Sequence, residues 1–162
     1  MKTKYLFLML CLLSSGILYA QSSAFSRLFE KYENEEDVTI VNISKAMFNL
    51  IPGNIKTGGN VDIKNIVPKI ESLRIITSEK SALKEKMFAD FKAIVEKDKS
   101  FEELMRIKSG KANITFNIKQ KGEIINELIM LVNEEDNFVA IQILGNFLLD
   151  DIKKIAADSQ NQ

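Results

Sequence analysis

Two short patterns could supply serine-based acyl-transfer chemistry. Residues 81–84 (SALK) match S-x-x-K, in which a lysine one helical turn after a serine assists deprotonation of its hydroxyl. Residues 56–58 match K-T-G, which borders the pocket of penicillin-binding proteins and β-lactamases. Here K-T-G comes first, lies in a glycine-rich stretch, and the S-D-N element is absent. Because such short patterns arise by chance, we interpret Ser81 as a helix N-cap and Lys84 as a solvated helix charge.

Other catalytic and metal-binding groups are scarce. The sequence has no histidine, and its single cysteine is Cys11, so histidine bases, catalytic triads, structural zinc and iron–sulfur sites are not expected. The acidic stretches Glu33–Asp37 and Glu134–Asn137 lack the spaced D-x-D-x-D-G pattern of calcium loops and are interpreted as solvated turns. The sequence therefore predicts no catalytic, cofactor-binding or metal-binding residue, and no cofactor. A pair of carboxylates meeting in a cleft is the one hydrolytic chemistry left open.

The N-terminus has the anatomy of a secretory signal peptide. Lys2 and Lys4 precede an apolar run over residues 5–13, and a cleavage site is predicted after Ala20. A lipoprotein site needs small residues directly before its cysteine, whereas bulky residues precede Cys11, so lipid anchoring there is not expected. The protein is predicted to be exported, either to the periplasm or out of the cell.

Residues 21–162 are predicted to form one domain. Loss of two signal-peptide lysines leaves 20 basic against 22 acidic residues, a net charge of −2, which disfavours nucleic-acid binding. No later apolar stretch approaches the roughly 20 residues that span a bilayer, so no transmembrane segment is expected. About 140 residues can bury a core without disulfides, and the tail from about Asp158 is expected to fray.

Apolar periodicity predicts the order helix, strand, helix, strand, helix, four-strand meander, helix. Period-two runs joined by short polar turns indicate antiparallel neighbours. We therefore expect an α+β fold with a mainly antiparallel sheet and helices packed on one face. The predicted helices lie around Phe25–Tyr32, Ser44–Ile51, Ser81–Lys97 and Leu148–Ile155, and the strands at Val38–Ile43, Ile70–Ile76, Phe101–Ile107, Ala112–Lys119, Ile124–Val132 and Phe138–Leu144.

Alternation in the second meander strand predicts which side chains are buried. Ile114, Phe116 and Ile118 are expected to face the core, and their neighbours to form a wet face. The wet residues would be Thr115, Asn117 and Lys119.

Several phrases resemble the family catalogued as domain of unknown function 4252. They are VTIVNISKAMFNLIP at residues 38–52, IESLRIITS at 70–78, FEELMRIK at 101–108 and VAIQILGNF at 139–147. The resemblance implies a small exported protein of the Gram-negative envelope, lipid-anchored in some relatives, with no established activity, substrate or functional residues to carry over.

We expect a non-enzymatic binding or assembly module whose partner is another envelope or secreted protein. Its oligomeric state is left open. The candidate contact surfaces are the glycine-rich loop Gly53–Asn60, the wet face around Asn117, an exposed apolar part of the first helix, and an unpaired edge at Val38–Ile43 or Phe101–Ile107. The alternatives are a small-ligand or lipid carrier with an apolar cavity between helices and sheet, and a carboxylate-dependent hydrolase.

Overall fold

A computed structural model describes residues 24–50 and 66–151, and the account below is confined to them. The helices are α1 (Ala24–Tyr32), α2 (Lys45–Leu50) and α3 (Ser81–Lys97), with a 3-10 turn at Val67–Lys69. The strands are β1 (Thr39–Ser44), β2 (Ile70–Ser78), β3 (Phe101–Ser109), β4 (Ala112–Lys121), β5 (Ile124–Asn133) and β6 (Phe138–Leu148).

All six strands form one antiparallel sheet in the order β1-β2-β6-β5-β4-β3. The predicted α+β fold is therefore confirmed, including the C-terminal meander. Strand β2 pairs with β6, so α3 carries the chain across the sheet from β2 to the far edge at β3. As a result β1 and β3 are the two edge strands.

Glycines make two of the meander turns possible. Gly110 and Gly122 follow the ends of β3 and β4, and both have positive φ, at 57° and 63°. Glycine adopts this conformation without the steric cost that a Cβ would impose, and tight hairpin turns require it. These turns set the register that decides which side chains share a face.

Helices α1 and α3 pack on one side of the sheet, which we call the covered face. Phe91 of α3 is fully buried at the centre, with ring centroids of Phe25, Phe29, Tyr32 and Phe138 between 4.8 and 6.4 Å away. Sheet residues beneath the two helices complete this core, namely Ile76, Ile129, Leu131 and Ala140.

A polar clamp joins the two helices at the edge of this core. The Tyr32 hydroxyl donates a hydrogen bond of 2.7 Å to Asp90 Oδ2, and Lys31 Nζ lies 2.5 Å from the same oxygen. The hydrogen bonds from Lys31 and Tyr32 hold the pKa of Asp90 below its usual range, whereas burial raises the pKa of Tyr32. Helix α1 is thereby fixed to α3 by charge as well as by aromatic packing.

The opposite side of the sheet is covered at one end only in the described part of the chain. There Phe48 of α2 and Ile66, beside the 3-10 turn, join a second cluster with Ile118, Leu128 and Phe147. Asp151 anchors the end of β6 to this region, because its Oδ2 accepts from Lys69 Nζ at 2.5 Å and from the Leu148 amide at 2.8 Å.

Some predictions lie outside the described residues. These are the signal peptide, with Cys11 and the cleavage site after Ala20, and the loop Gly53–Asn60 with its K-T-G element. The continuation of the last helix through Ile152 and Ile155 and the tail from Asp158 also lie outside them. Helical structure is described at residues 149–151, while Leu148, predicted to be helical, ends β6. In the two ranges that are described, no helix is both long and apolar enough to cross a membrane.

Candidate functional site: an open apolar sheet face

Strand register divides the sheet into two faces with different surroundings. Cross-strand partners share a face, and successive residues alternate between faces. Ile76 and Ala140 are partners on the covered face and are fully buried. Their neighbours Ile75 and Ile141 are partners on the opposite side and are only half-buried.

Two rows of side chains cross all six strands on that opposite side, which we call the open face. None of the twelve is buried, and none is charged. The first row consists of Val41, Ile75, Ile141, Met130, Phe116 and Met105. The second row consists of Thr39, Thr77, Val139, Val132, Ile114 and Ile107.

The open face has about the area of the largest apolar patch on a typical monomer. Strands about 4.8 Å apart and same-face residues about 6.7 Å apart give twelve side chains a footprint of roughly 400 Å². Val41, Met105 and Ile107, at the two edges, are 41%, 45% and 42% exposed. Contiguous apolar patches of this size on monomers often mark interaction sites.

The structure reverses the predicted faces of β4. Asn117 was expected to be wet, yet it is 4% exposed and lies under α3 with half-buried Thr115. Lys119 is half-buried and pairs with Asp98, which follows α3. Ile114 and Phe116 instead lie on the open face. Ile118 is buried as predicted, but in the second cluster. Alternation along one strand shows which side chains share a face of the sheet, but it does not show which face the helices cover. Here the helices lie on the polar side of β4, because the apolar centre of that face comes from β2, β5 and β6.

The two edge strands differ in how they resist further pairing. Strand β3 has charged residues along it and a register shift between Glu103 and Met105, both devices that discourage edge-to-edge association. Strand β1 has the uncharged sequence TIVNIS and pairs with β2 in unbroken register. Val38–Ile43 and Phe101–Ile107 were the alternative candidates for an exposed edge, and the strands formed from both lie at edges of the sheet, with β1 the less protected.

A cavity of about 260 Å³ lies under the C-terminal half of α3, between the helix and strands β3 and β4. Its polar lining includes Asn113, Thr115 and Asn117, with Asn117 Nδ2 donating to Thr115 Oγ1 at 3.4 Å. Apolar residues form another part of the cavity wall, and three basic and three acidic residues line the rest. The apolar residues are Phe88, Val95, Phe101 and Leu131, and the charged residues are Lys92, Lys99, Arg106, Glu96, Asp98 and Glu103.

Salt bridges keep two acidic groups of this cavity, Asp98 and Glu103, ionised. Lys119 Nζ lies 2.7 Å from Asp98 Oδ2, and together with hydrogen bonds from Ser100 it lowers the pKa of Asp98 to about 2. Arg106 pairs with Glu103 and lowers the pKa of that carboxyl. Groups held as carboxylates can accept hydrogen bonds but are poor proton donors near neutral pH.

The position of Lys84 contradicts both interpretations of this residue. It cannot act as the lysine of an S-x-x-K site, and the prediction that it is a solvated helix charge was wrong. Lys84 is 5% exposed, and its Nζ donates to the carbonyl oxygens of Glu134 and Glu135, at 2.8 Å each. An ammonium bound in this way holds the β5–β6 turn and is not free to take a proton from Ser81. Nor is Ser81 the N-cap, since that position is Lys80 and no side-chain cap bond forms.

No metal site emerges from the described acidic residues. Within residues 24–50 and 66–151, no three candidate ligand side chains come together so that they could hold an ion. The stretches Glu33–Asp37 and Glu134–Asn137 lie in irregular or turn structure between regular elements, as predicted.

The first helix does not offer the exposed apolar surface that we expected. Phe25, Phe29 and Tyr32 are at most 3% exposed, because this stripe packs against Phe91. The outward side of α1 carries Arg27, Glu30 and Lys31. The prediction that the first helix carries an exposed apolar surface was therefore wrong.

A sequence signal for the open face does exist. Strands with two apolar faces read as continuous apolar runs, whereas strands with one buried face alternate. Residues 128–132 (LIMLV) and 138–141 (FVAI) are such runs, in β5 and β6. They require a hydrophobic environment on both sides of the central strands, of which α1 and α3 supply only one.

The comparisons with known proteins place most of the chain in one family. The model described as Domain of unknown function (DUF4252) matches residues 32–155, from the end of α1 to beyond β6. No curated protein matches the sequence.

Proposed function

The chain belongs to the DUF4252 family, and we propose that it is a non-enzymatic binding or assembly module of the cell envelope that contacts its partner through the open face. The observation behind this proposal is the pair of uncharged six-residue rows that cross every strand while no member is buried. Leaving that area in water is unfavourable, by about 25 cal/mol for each Å² that a partner would cover.

Two features favour a protein as the partner. The open face belongs to a hydrogen-bonded sheet and is therefore a rigid surface, which lowers the conformational cost of binding. Its centre combines Met130 and Phe116 with β-branched residues, and methionine and aromatic residues are enriched at protein interfaces. The uncharged edge of β1 adjoins the same surface at Val41.

The alternatives have less support. A lipid carrier needs an apolar cavity between helices and sheet, whereas the cavity under α3 is lined by Asn113, Thr115 and Asn117 as well as six charged residues. A carboxylate hydrolase needs a protonated acid near neutral pH. The pKa values of Asp90, Asp98 and Glu103 are all lowered, so none of these three carboxyls is such an acid.

Export of the chain is part of the proposal. It rests on Lys2 and Lys4, the apolar run over residues 5–13 and the cleavage site after Ala20. Mass spectrometry of the N-terminal peptide from the natural host tests it. A mature start at Gln21 would support export, and a retained Met1 or an acylated Cys11 would contradict it.

Crosslinking in the natural host tests the contact surface. We expect Met105→Glu to abolish the recovered complex, because it introduces a charge into the first row of the open face. Lys108→Glu is the matched control: it lies on the same strand, is also exposed, and points to the other face, next to Asn113.

Recovery of the same complex from both variants would exclude the open face as the contact surface. Loss of the complex in both variants would mean that the charge of β3, and not the open face, controls association. Circular dichroism and thermal melting of each purified variant establish that it is folded.

A further inference from the structure

The occupant of the open face can be inferred from its own chemistry. Resting on the proposed function, we propose that this occupant is a second copy of the chain, packed sheet to sheet about a two-fold axis. The neutrality and the shape of the face support this choice, and its area limits the strength of the contact.

Neutrality is the first support. In a two-fold interface the same patch lies on both sides, so a charged residue near the centre would face its own like charge. Neither row contains a charged side chain, although charged residues make up 27% of the sequence. Arg106 and Lys108 of β3 pair with Thr115 and Asn113 and therefore point to the covered face. Glu102 pairs with Ile118 and lies on the open side, but beyond the first row at the edge strand. The two rows can thus meet their copies without burying an unpaired charge.

Shape is the second support. Two sheets of the same twist pack face to face about 10 Å apart, with strands near −30° and their side chains interdigitated. Identical sheets satisfy this condition automatically. The β-branched residues of the central strands, such as Ile75, Ile141 and Val139, present the ridged surface that such packing uses.

Area limits the strength of the dimer. Two footprints of roughly 400 Å² give about 800 Å² before the edges are included, and specific interfaces begin near 1,000 Å². The dimer is therefore expected at the lower end of the range, so that it dissociates on dilution.

Sedimentation velocity of the mature protein tests this inference from micromolar to millimolar concentration. We expect a monomer–dimer equilibrium whose dissociation constant rises more than about tenfold in Met105→Glu, because each dimer then buries two carboxylates. Lys108→Glu should leave the constant within about threefold of the wild-type value. Ile107→Glu, in the second row and 42% exposed, is the second variant if Met105→Glu does not fold.

Cysteine crosslinking identifies the face directly. Since Cys11 is the only cysteine and precedes the predicted cleavage site, single cysteines can be placed freely in the mature chain. Met130→Cys, in the middle of the first row, should crosslink between copies through a short bismaleimide, and Lys108→Cys should not. Equal crosslinking at both positions, or a dimer that both glutamate variants leave intact, would overturn the proposed face.

The remaining outcomes separate this inference from the function on which it rests. A monomer at every concentration, with host complexes still lost in Met105→Glu, would overturn self-association and leave a different protein as the partner. A monomer in which Met105→Glu greatly lowers the melting temperature would mean that the same chain covers the face, and would overturn both proposals.

Discussion

Phe91→Ala tests the core that fixes the two longer helices to the sheet. Phe91 is fully buried, and four aromatic rings have their centroids within 6.4 Å of its own. Truncation of a buried phenylalanine costs about 3–5 kcal/mol, and aromatic pairs add about 0.5–1.5 kcal/mol each beyond their buried area. We therefore expect a loss of about 4–5 kcal/mol, in the upper part of the range.

Phe88→Ala is the matched control on the same helix. Phe88 is only half-buried and makes one ring contact, to Phe138 at 6.0 Å. We expect its truncation to cost about 1–2 kcal/mol, in the usual range for partly buried side chains. The difference between the two variants isolates the aromatic cluster from any general effect on the helix.

Urea unfolding followed by far-ultraviolet circular dichroism measures both variants. With a slope of about 1.5–2 kcal/mol/M, Phe91→Ala should lower the midpoint by about 2 M or more. The melting temperature should fall by roughly 12–15 °C, at about 3 °C for each kcal/mol. Equal losses in Phe91→Ala and Phe88→Ala would refute the central position assigned to Phe91.

Three further substitutions address other contacts. Gly145→Ala should cost about 1–3 kcal/mol in urea unfolding, because its Cβ would lie 2.3 Å from the Lys69 carbonyl oxygen, and an unchanged midpoint would mean that the backbone relaxes there. Lys84→Met should cost about 2–3 kcal/mol, since it leaves two turn carbonyls without their donor, and faster hydrogen exchange in the β5–β6 turn would identify the cause. Asp98→Asn should cost on the order of 1 kcal/mol at neutral pH. The pKa of Asp98 is about 2 in the folded protein, against 3.8 for the ordinary carboxyl, and the partial exposure of Asp98 screens its bond to Lys119. The carboxylate stabilises the fold above pH 3.8, and the stabilisation is lost as pH falls towards 2, so a difference that stays constant over that window would contradict its electrostatic origin.

Local sequence pattern was sufficient to predict the helices and strands, but not to predict how they are arranged in the fold. Helix α3 was predicted with the bounds it has, and the strand predictions lie within a few residues of the observed ends, because hydrophobic period and turn residues act over a few positions. The pairing of β2 with β6 joins residues far apart in sequence, and no local period encodes it. The burial of Lys84 depends on the β5–β6 turn in the same way, since that turn lies some 50 residues away.

The open face was missed because single strands were considered one at a time. In β4, Thr115 and Asn117 alternate with Ile114 and Phe116, which suggests one wet face and one buried face. The neighbouring β5 has apolar residues in both sets, so only the two strands together show that the face opposite the helices must also be apolar.

Stability and association are assigned to opposite faces of the same sheet. The covered face holds most of the fully buried apolar residues, including Ile129 and Ala140, and the second cluster holds Ile125, whereas no member of the open-face rows is buried. A charge placed at Met105 should therefore leave the covered core intact, while Phe91→Ala should weaken the fold without altering the open face. If Met105→Glu lowers association at full stability while Phe91→Ala lowers stability with association intact under native conditions, the two roles are separate. If either variant changes both properties together, the sheet couples folding to binding, and the partner contributes to the stability of the domain.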